Sequence, residues 1–194
     1  MRPPAPYAWD GGICHAAVPV EETENTVTAP VLSPPLDIES AWIDYNGHLN
    51  MAYYGVLFDR GSDDAFAAMG MTLDYVRTRK LTIYTAEVHV RYLRELHLGD
   101  RVVVSYQLLD HDAKRLHAYQ EIRHVDGWLA ATSEILSLHI DQAGPRVAPF
   151  PADILAAVEA MFSEHKRLPT PQGIGKPIGI NRRKETAFTQ NITQ

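Results

Sequence analysis

The chain predicts an α+β domain, in which a meander of antiparallel strands packs on one long central helix and a second helix is added near the C-terminus. Three observations carry this. From Met51 to Met69, the residues Tyr54, Phe58, Ala65 and Met69 fall near one face at three- and four-residue steps, the period of an amphipathic helix. Four strand-like runs follow between Leu81 and Ile140, divided by turn signals. Over residues 152–165, Ile154, Leu155, Val158, Met161 and Phe162 return to helical spacing.

Taken in order, residues 1–30 are rich in Pro, Gly, Glu and Thr without periodicity and read as an irregular N-terminal arm. The domain is expected over residues 31–168. Pro34-Pro35 breaks the chain before a short strand from Leu36 to about Ala41. Within the long helix, Gly55, Gly61 and Ser62 predict close approach of the helix backbone to the sheet, since glycine otherwise lowers helix stability. Gly70 suits the residue just past its end.

The first long strand, Leu81–Leu93, alternates: Tyr84, Ala86, Val88, Val90 and Tyr92 are expected on one face, Glu87, His89 and Arg91 on the other. Leu98-Gly99-Asp100 turns the chain into Arg101–Leu109, and Asp110–Lys114 reads as the next hairpin loop, leading to Arg115–Val125. Asp126-Gly127 is a strong two-residue hairpin signal before Trp128–Ile140. Residues 169–194 read as an extended or disordered tail with a basic spot at Arg182-Arg183-Lys184. One sheet over one helix leaves its edges open, which predicts pairing with a second copy, as a homodimer or homotetramer.

Composition narrows the function. A net charge of −6 argues against a nucleic-acid partner, which calls for a basic footprint. The single cysteine, Cys14, rules out an internal disulfide framework and a cysteine-based metal site. None of the nine histidines falls in a compact ligand motif, so no metal is expected. No apolar run reaches membrane-spanning length, and the start, with Pro3, Pro4 and Pro6, lacks the apolar stretch of a signal peptide. The expectation is a cytoplasmic protein with no membrane partner.

The chemistry is concentrated in Asp44-Tyr45-Asn46-Gly47-His48-Leu49-Asn50, which opens the long helix. A carboxylate here would lie beside the free N–H groups and positive dipole end of a helix start, donors suited to a developing oxyanion. The same residues also suit an ordinary capped turn. This loop, the aromatic pair Tyr53-Tyr54, and Val90-Arg91-Tyr92-Leu93 followed by Leu98-Gly99-Asp100 resemble the hotdog-fold acyl-CoA thioesterases of the 4-hydroxybenzoyl-CoA thioesterase type. The resemblance covers roughly residues 35–141. Trp42–Asn50, Leu93–His97 and Leu108–His117 further resemble the thioesterases associated with, and sometimes fused to, L-carnitine dehydrogenase, to which betainyl-CoA hydrolysis is assigned. No Gly-x-Gly-x-x-Gly dinucleotide fingerprint is present.

The resemblance implies that Asp44 is the catalytic carboxylate, as general base on water or as nucleophile on the thioester. It implies an oxyanion hole from backbone N–H groups near Asn50 and Met51. His48 would position the thioester carbonyl or hold Asn46 and Asp44. A trimethylammonium group requires aromatic faces and carboxylates, for which Trp42, Tyr45, Tyr53, Tyr54 and Trp128 are the candidates. Arg91, Arg94, Lys114 and Arg115 are the candidates for CoA phosphates. CoA enters as part of the substrate; no separate cofactor is implied.

Some hotdog thioesterases carry their acid on the helix, where Asp59, Asp63 and Asp64 stand here, beside Arg60 as a surface ion-pair partner. Glu87 is expected to pair with His89 or Arg91. Two other functions compete. A hotdog enoyl-CoA hydratase or dehydratase resembles Asp-x-Asn-Pro-x-His rather than the Asp-x-x-Gly-His-x-Asn present here. A non-catalytic acyl-CoA-binding protein would call for an output module, and no such segment is evident.

Overall fold

The computed structural model describes residues 29–180; the N-terminal arm to residue 28, with Cys14, and the basic spot Arg182-Arg183-Lys184 lie outside the described residues. Two short strands, β1 (Val31–Leu32) and β2 (Leu36–Asp37), lead through a 3-10 turn at Ser40–Trp42 to the long helix α1 (Met51–Ala68). A second helix, α2 (Leu73–Arg79), precedes the strands β3 (Leu81–Tyr92), β4 (Arg101–His111), β5 (Arg115–His124) and β6 (Leu129–Asp141). A two-residue strand, β7 (Arg146–Val147), and helix α3 (Ala152–His165) follow. The sheet is antiparallel in the order β1-β4-β5-β6-β3, with β2 added to β4 and β7 to β6. This is the hotdog fold.

Helix α1 buries Tyr54, Leu57, Phe58, Gly61, Ser62 and Ala65, the expected face, in the curve of the sheet. The close approach occurs at Gly61, where a Cβ atom would run into the Val104 side chain on β4. Fully buried Gln120 on β5 reinforces it by donating to the Phe58 carbonyl at 2.8 Å and to Ser62 Oγ at 3.0 Å. Gly55 has no neighbour within 4 Å on its open side, so packing does not require a glycine there. Gly70, at φ 82°, ends the segment in the left-handed region that glycine tolerates.

Several expected elements differ in extent. Strand β2 stops at Asp37 because the chain turns inward to bury Trp42, whose carbonyl then accepts from Asn50 N–H at 2.9 Å. Helix α2 was not signalled by a long apolar stripe, since it is only seven residues; Thr72 caps it and Tyr75 anchors it. In β3 a bulge between Thr85 and Glu87 switches the alternation. Leu81 and Ile83 therefore join Val90 in packing toward the core, and Tyr84 stays exposed rather than sharing their face. The β4–β5 loop is shorter than Asp110–Lys114: pairing continues to His111, and Asp112 Oδ1 accepts from Lys114 and Arg115 N–H, both at 2.8 Å.

Helix α3 adds Ile154, Val158 and Met161 to a cluster with Met69, Met71, Tyr106 and Leu108. The chain then crosses the outer face of the sheet. Gln107 donates to the Pro169 carbonyl, Tyr119 hydroxyl to the Gln172 carbonyl at 3.2 Å, and Gly175 N–H to Glu134 at 2.8 Å. Strand β3 is left as the open edge of the sheet, with Tyr84, Val88 and Tyr92 about half exposed.

Two buried imidazoles serve the fold as neutral groups. His139 donates from Nδ1 to the Ala148 carbonyl at 2.9 Å, so its Nε2 accepts from Tyr75 hydroxyl at 2.7 Å. His165 accepts Leu108 N–H on Nδ1 at 2.9 Å, at the end of α3. Burial lowers the pKa of both, and burial raises that of Tyr75 to about 12.

Two outcomes are expected. Gly61→Ala should destabilise the fold by about 1–3 kcal/mol, more than the ~1 kcal/mol gained in helix propensity, read as a lower denaturant midpoint. Because both histidines bind protons more readily when unfolded, stability is complete above the ordinary histidine value of 6.5 and declines as the pH falls below it. Thermal melts from pH 7.5 to 5 should show this decline, with a shallower slope in His165→Asn, whose amide oxygen can still accept from Leu108.

Candidate active site

The Asp44 loop is a small hairpin closed on itself. An isolated bridge pairs Ile43 with Leu49, Asp44 N–H donates to the His48 carbonyl at 3.0 Å, and Gly47 N–H donates to the Asp44 carbonyl at 3.0 Å. Gly47 takes φ 84°, which the turn requires and glycine permits. Leu49, almost fully buried, anchors the loop, and its N–H donates to the Leu96 carbonyl at 2.7 Å. The loop is thereby fixed both to the start of α1 and to the segment leaving β3.

Asp44 is partly exposed, and its Oδ1 accepts Asn46 N–H at 2.8 Å. Asn50 is the N-cap of α1, its side-chain oxygen accepting Ala52 N–H at 3.0 Å. Tyr53 N–H reaches the Asn50 carbonyl at 3.0 Å, and Met51 N–H has no acceptor among the described residues. One free donor at the positive end of a helix thus remains close to the carboxylate loop. His48 turns away from both Asp44 and Asn46: its Nε2 lies 3.9 Å from Glu95, and its ring meets His97 edge-on.

The aromatic candidates separate sharply. Trp42 is buried, stacked on Tyr53 at 5.4 Å, with the Arg60 guanidinium 4.9 Å over its ring. Trp128, partly buried by the β5–β6 turn, stacks on His124 at 4.8 Å and carries the Arg94 guanidinium 4.0 Å over its ring. Tyr45 is 97% exposed, without packing to fix it. Tyr54 is buried, and burial raises its pKa; its ring meets Tyr92 edge-on at 5.1 Å. Sequence reasoning passed over Tyr92, whose hydroxyl donates to the Met51 carbonyl at 3.4 Å. Its alternation in β3 was visible, but nothing local showed that this strand end meets the helix start.

The four basic candidates are not brought together. Arg91 lies on the outer face of β3 beside Gly173, and Arg94 on Trp128. Lys114 and Arg115 stand at the opposite end of β5, where Arg115 is paired with Asp112. Arg60 pairs with Glu39 at 3.1 Å rather than with its helix neighbours. Partial burial, with Asp59 and Asp64 nearby, raises the pKa of Asp63. Among the described ion pairs, His117 joins Glu134 at 2.9 Å, and Glu87 joins none; His111 packs on Phe162 rather than facing His117. A cavity of about 780 Å³ on the outer face, bounded by Glu87, His89, His117, Glu134 and Lys176, is lined by none of the Asp44 loop residues. Among the described residues no three His, Cys, Asp or Glu side chains are grouped to hold a metal ion.

A helix wrapped by this sheet, with an acidic loop at its start, is the architecture of a hotdog thioesterase, and the Thioesterase-like superfamily matches residues 38–158. The chain belongs to that family and is a thioesterase-family hydrolase acting on acyl-CoA. It is 40% identical over 140 residues to the betainyl-CoA thioesterase of Pseudomonas aeruginosa, covering 72% of this chain and 88% of that one. It is 34% identical to the L-carnitine dehydrogenase/betainyl-CoA thioesterase of Rhizobium meliloti, covering 75% of this chain but 29% of that longer protein. Among solved structures, a Staphylococcus aureus protein in complex with CoA superposes with a TM-score of 0.73 at 28% identity, covering 79% of this chain and 96% of that one. No helix among the described residues is long and apolar enough to cross a membrane.

Asn50→Ala should cost about 0.5–2 kcal/mol through loss of the cap, while Asn50→Asp should keep most of it. Chemical denaturation of both variants checks this.

Proposed function

We propose that this protein hydrolyses betainyl-CoA to glycine betaine and free CoA. The observation that carries the reading is the 40% identity to a betainyl-CoA thioesterase over 72% of the chain and 88% of that protein. Asp44 supplies the carboxylate. Its Oδ1 is held by Asn46 N–H, which leaves Oδ2 to take a proton from water or to attack the thioester carbon. Met51 N–H offers the oxyanion a donor with no acceptor among the described residues, with the helix dipole behind it. Asn50 acts by holding the first turn of α1 in place.

The open edge β3 supports a homodimer in this reading. It is twelve residues long, exposes Tyr84 and Val88, and is of the kind that pairs with another strand when left uncovered. The proposed domain comprises residues 31–168, with residues 169–175 packed over the outer face of the sheet.

The test is thiol release from betainyl-CoA beside acetyl-, butyryl- and 4-hydroxybenzoyl-CoA, followed with a chromogenic disulfide. Turnover should favour betainyl-CoA, and Asp44→Asn should lower kcat by at least ~10³-fold without shifting the melting temperature. Preference for a neutral acyl-CoA would discard the betainyl reading. Near-normal turnover by Asp44→Asn would remove Asp44 from the chemistry.

A further inference from the structure

The ammonium nitrogen of a betainyl group is separated from its thioester carbonyl by a single methylene. The group that holds the ammonium must therefore adjoin the group that holds the carbonyl, with an aromatic ring within roughly 6 Å of the cation. This requirement eliminates most of the aromatic residues near the site. Trp42 is buried and stacked on Tyr53, Trp128 carries His124 and Arg94 on its ring, Tyr54 is buried, and Tyr45 is unsupported. Tyr53 has one face on Trp42.

Tyr92 is different. Its hydroxyl lies on the Met51 carbonyl at 3.4 Å, which places the ring beside the residue whose N–H is free. Tyr54 props it edge-on at 5.1 Å, and 48% of the residue remains exposed. Two carboxylates follow Tyr92 along the chain, Glu95 and Asp100. Asp100 is already engaged by His97 N–H at 2.8 Å and by His124 at 3.7 Å. The Glu95 side chain, three residues after Tyr92 in the segment leaving β3, is 67% exposed, and its Oε1 lies 3.9 Å from Nε2 of His48 in the Asp44 loop. Arg94, the adjacent cation, is withdrawn onto Trp128.

We propose that Tyr92 and Glu95 together form the seat for the cationic end of the acyl group, Tyr92 offering its ring and Glu95 its charge. This rests on betainyl-CoA being the substrate. The seat selects a quaternary ammonium over a neutral group of the same shape, because a tert-butyl group gains neither the ring's negative face nor the carboxylate.

The experiment compares betainyl-CoA with 3,3-dimethylbutyryl-CoA, in which carbon replaces the ammonium nitrogen, and reads the ratio of their kcat/KM values. Tyr92→Phe and Tyr92→Trp should preserve the ratio, since both keep an aromatic face. Tyr92→Leu should lower it roughly 3- to 30-fold. Glu95→Gln should also lower it, with the deficit shrinking as salt is raised. If Tyr92→Leu fails to fold, the Glu95→Gln ratio and its salt dependence decide. A wild-type preference for betainyl-CoA that persists unchanged in these variants overturns the seat. Absence of that preference in the wild type overturns the substrate reading itself.

Discussion

Everything at the candidate site depends on how closely α1 lies against β4 and β5. Gly61 presents no side chain to Val104, and Gln120 links the Phe58 carbonyl and Ser62 hydroxyl to the middle of the sheet. A buried amide that lost these acceptors would be left unpaired at a cost of about 1–3 kcal/mol, so the contact fixes position as well as adding stability. With the helix middle held, its first turn cannot slide. The cap, the free Met51 N–H and the Asp44 loop are all referred to that anchor.

The loop adds its own constraints. Leu49 is bonded to Leu96 and Asn50 to Trp42, so the loop is tied to the segment leaving β3 and to the 3-10 turn as well as to the helix. Trp42 is packed between Tyr53 and Arg60, and Arg60 is paired with Glu39. These residues brace the turn that carries Asp44. Preorganisation of this kind lets a backbone donor and a carboxylate act without rearranging during the reaction.

Strand β3 connects the scaffold to substrate selection. Its bulge at Thr85–Glu87 lets Leu81 and Ile83 pack inward while Val88 and Tyr92 remain at the open edge. The end of the same strand brings Tyr92 onto the first carbonyl of α1. One strand thus supplies core packing at one end, an aromatic surface beside the oxyanion donor at the other, and an unpaired edge between them.

Much of this was legible in the sequence. Helical periodicity located α1 and α3 to within a residue or two, and Asp126-Gly127 marked the β5–β6 turn, because those signals are local. The loop Asp44–Asn50 announced its chemistry through residue types, and Asn50 is the cap it was expected to be. The bulge in β3 was hidden, since alternation on paper continues through a residue that the partner strand does not match. The state of the aromatic and basic residues was hidden for the same reason. Trp42, Trp128 and Arg94 are good ligand-binding types, and only the packed structure shows Trp42 engaged with Arg60 and Trp128 with Arg94. By itself the sequence determined the long helix, the C-terminal helix and the four long strands, and the place of the candidate carboxylate loop before α1, because these follow from neighbours in the chain. Only the tertiary structure decided which rings and charges remain free to meet a substrate, because that depends on contacts between residues far apart in sequence.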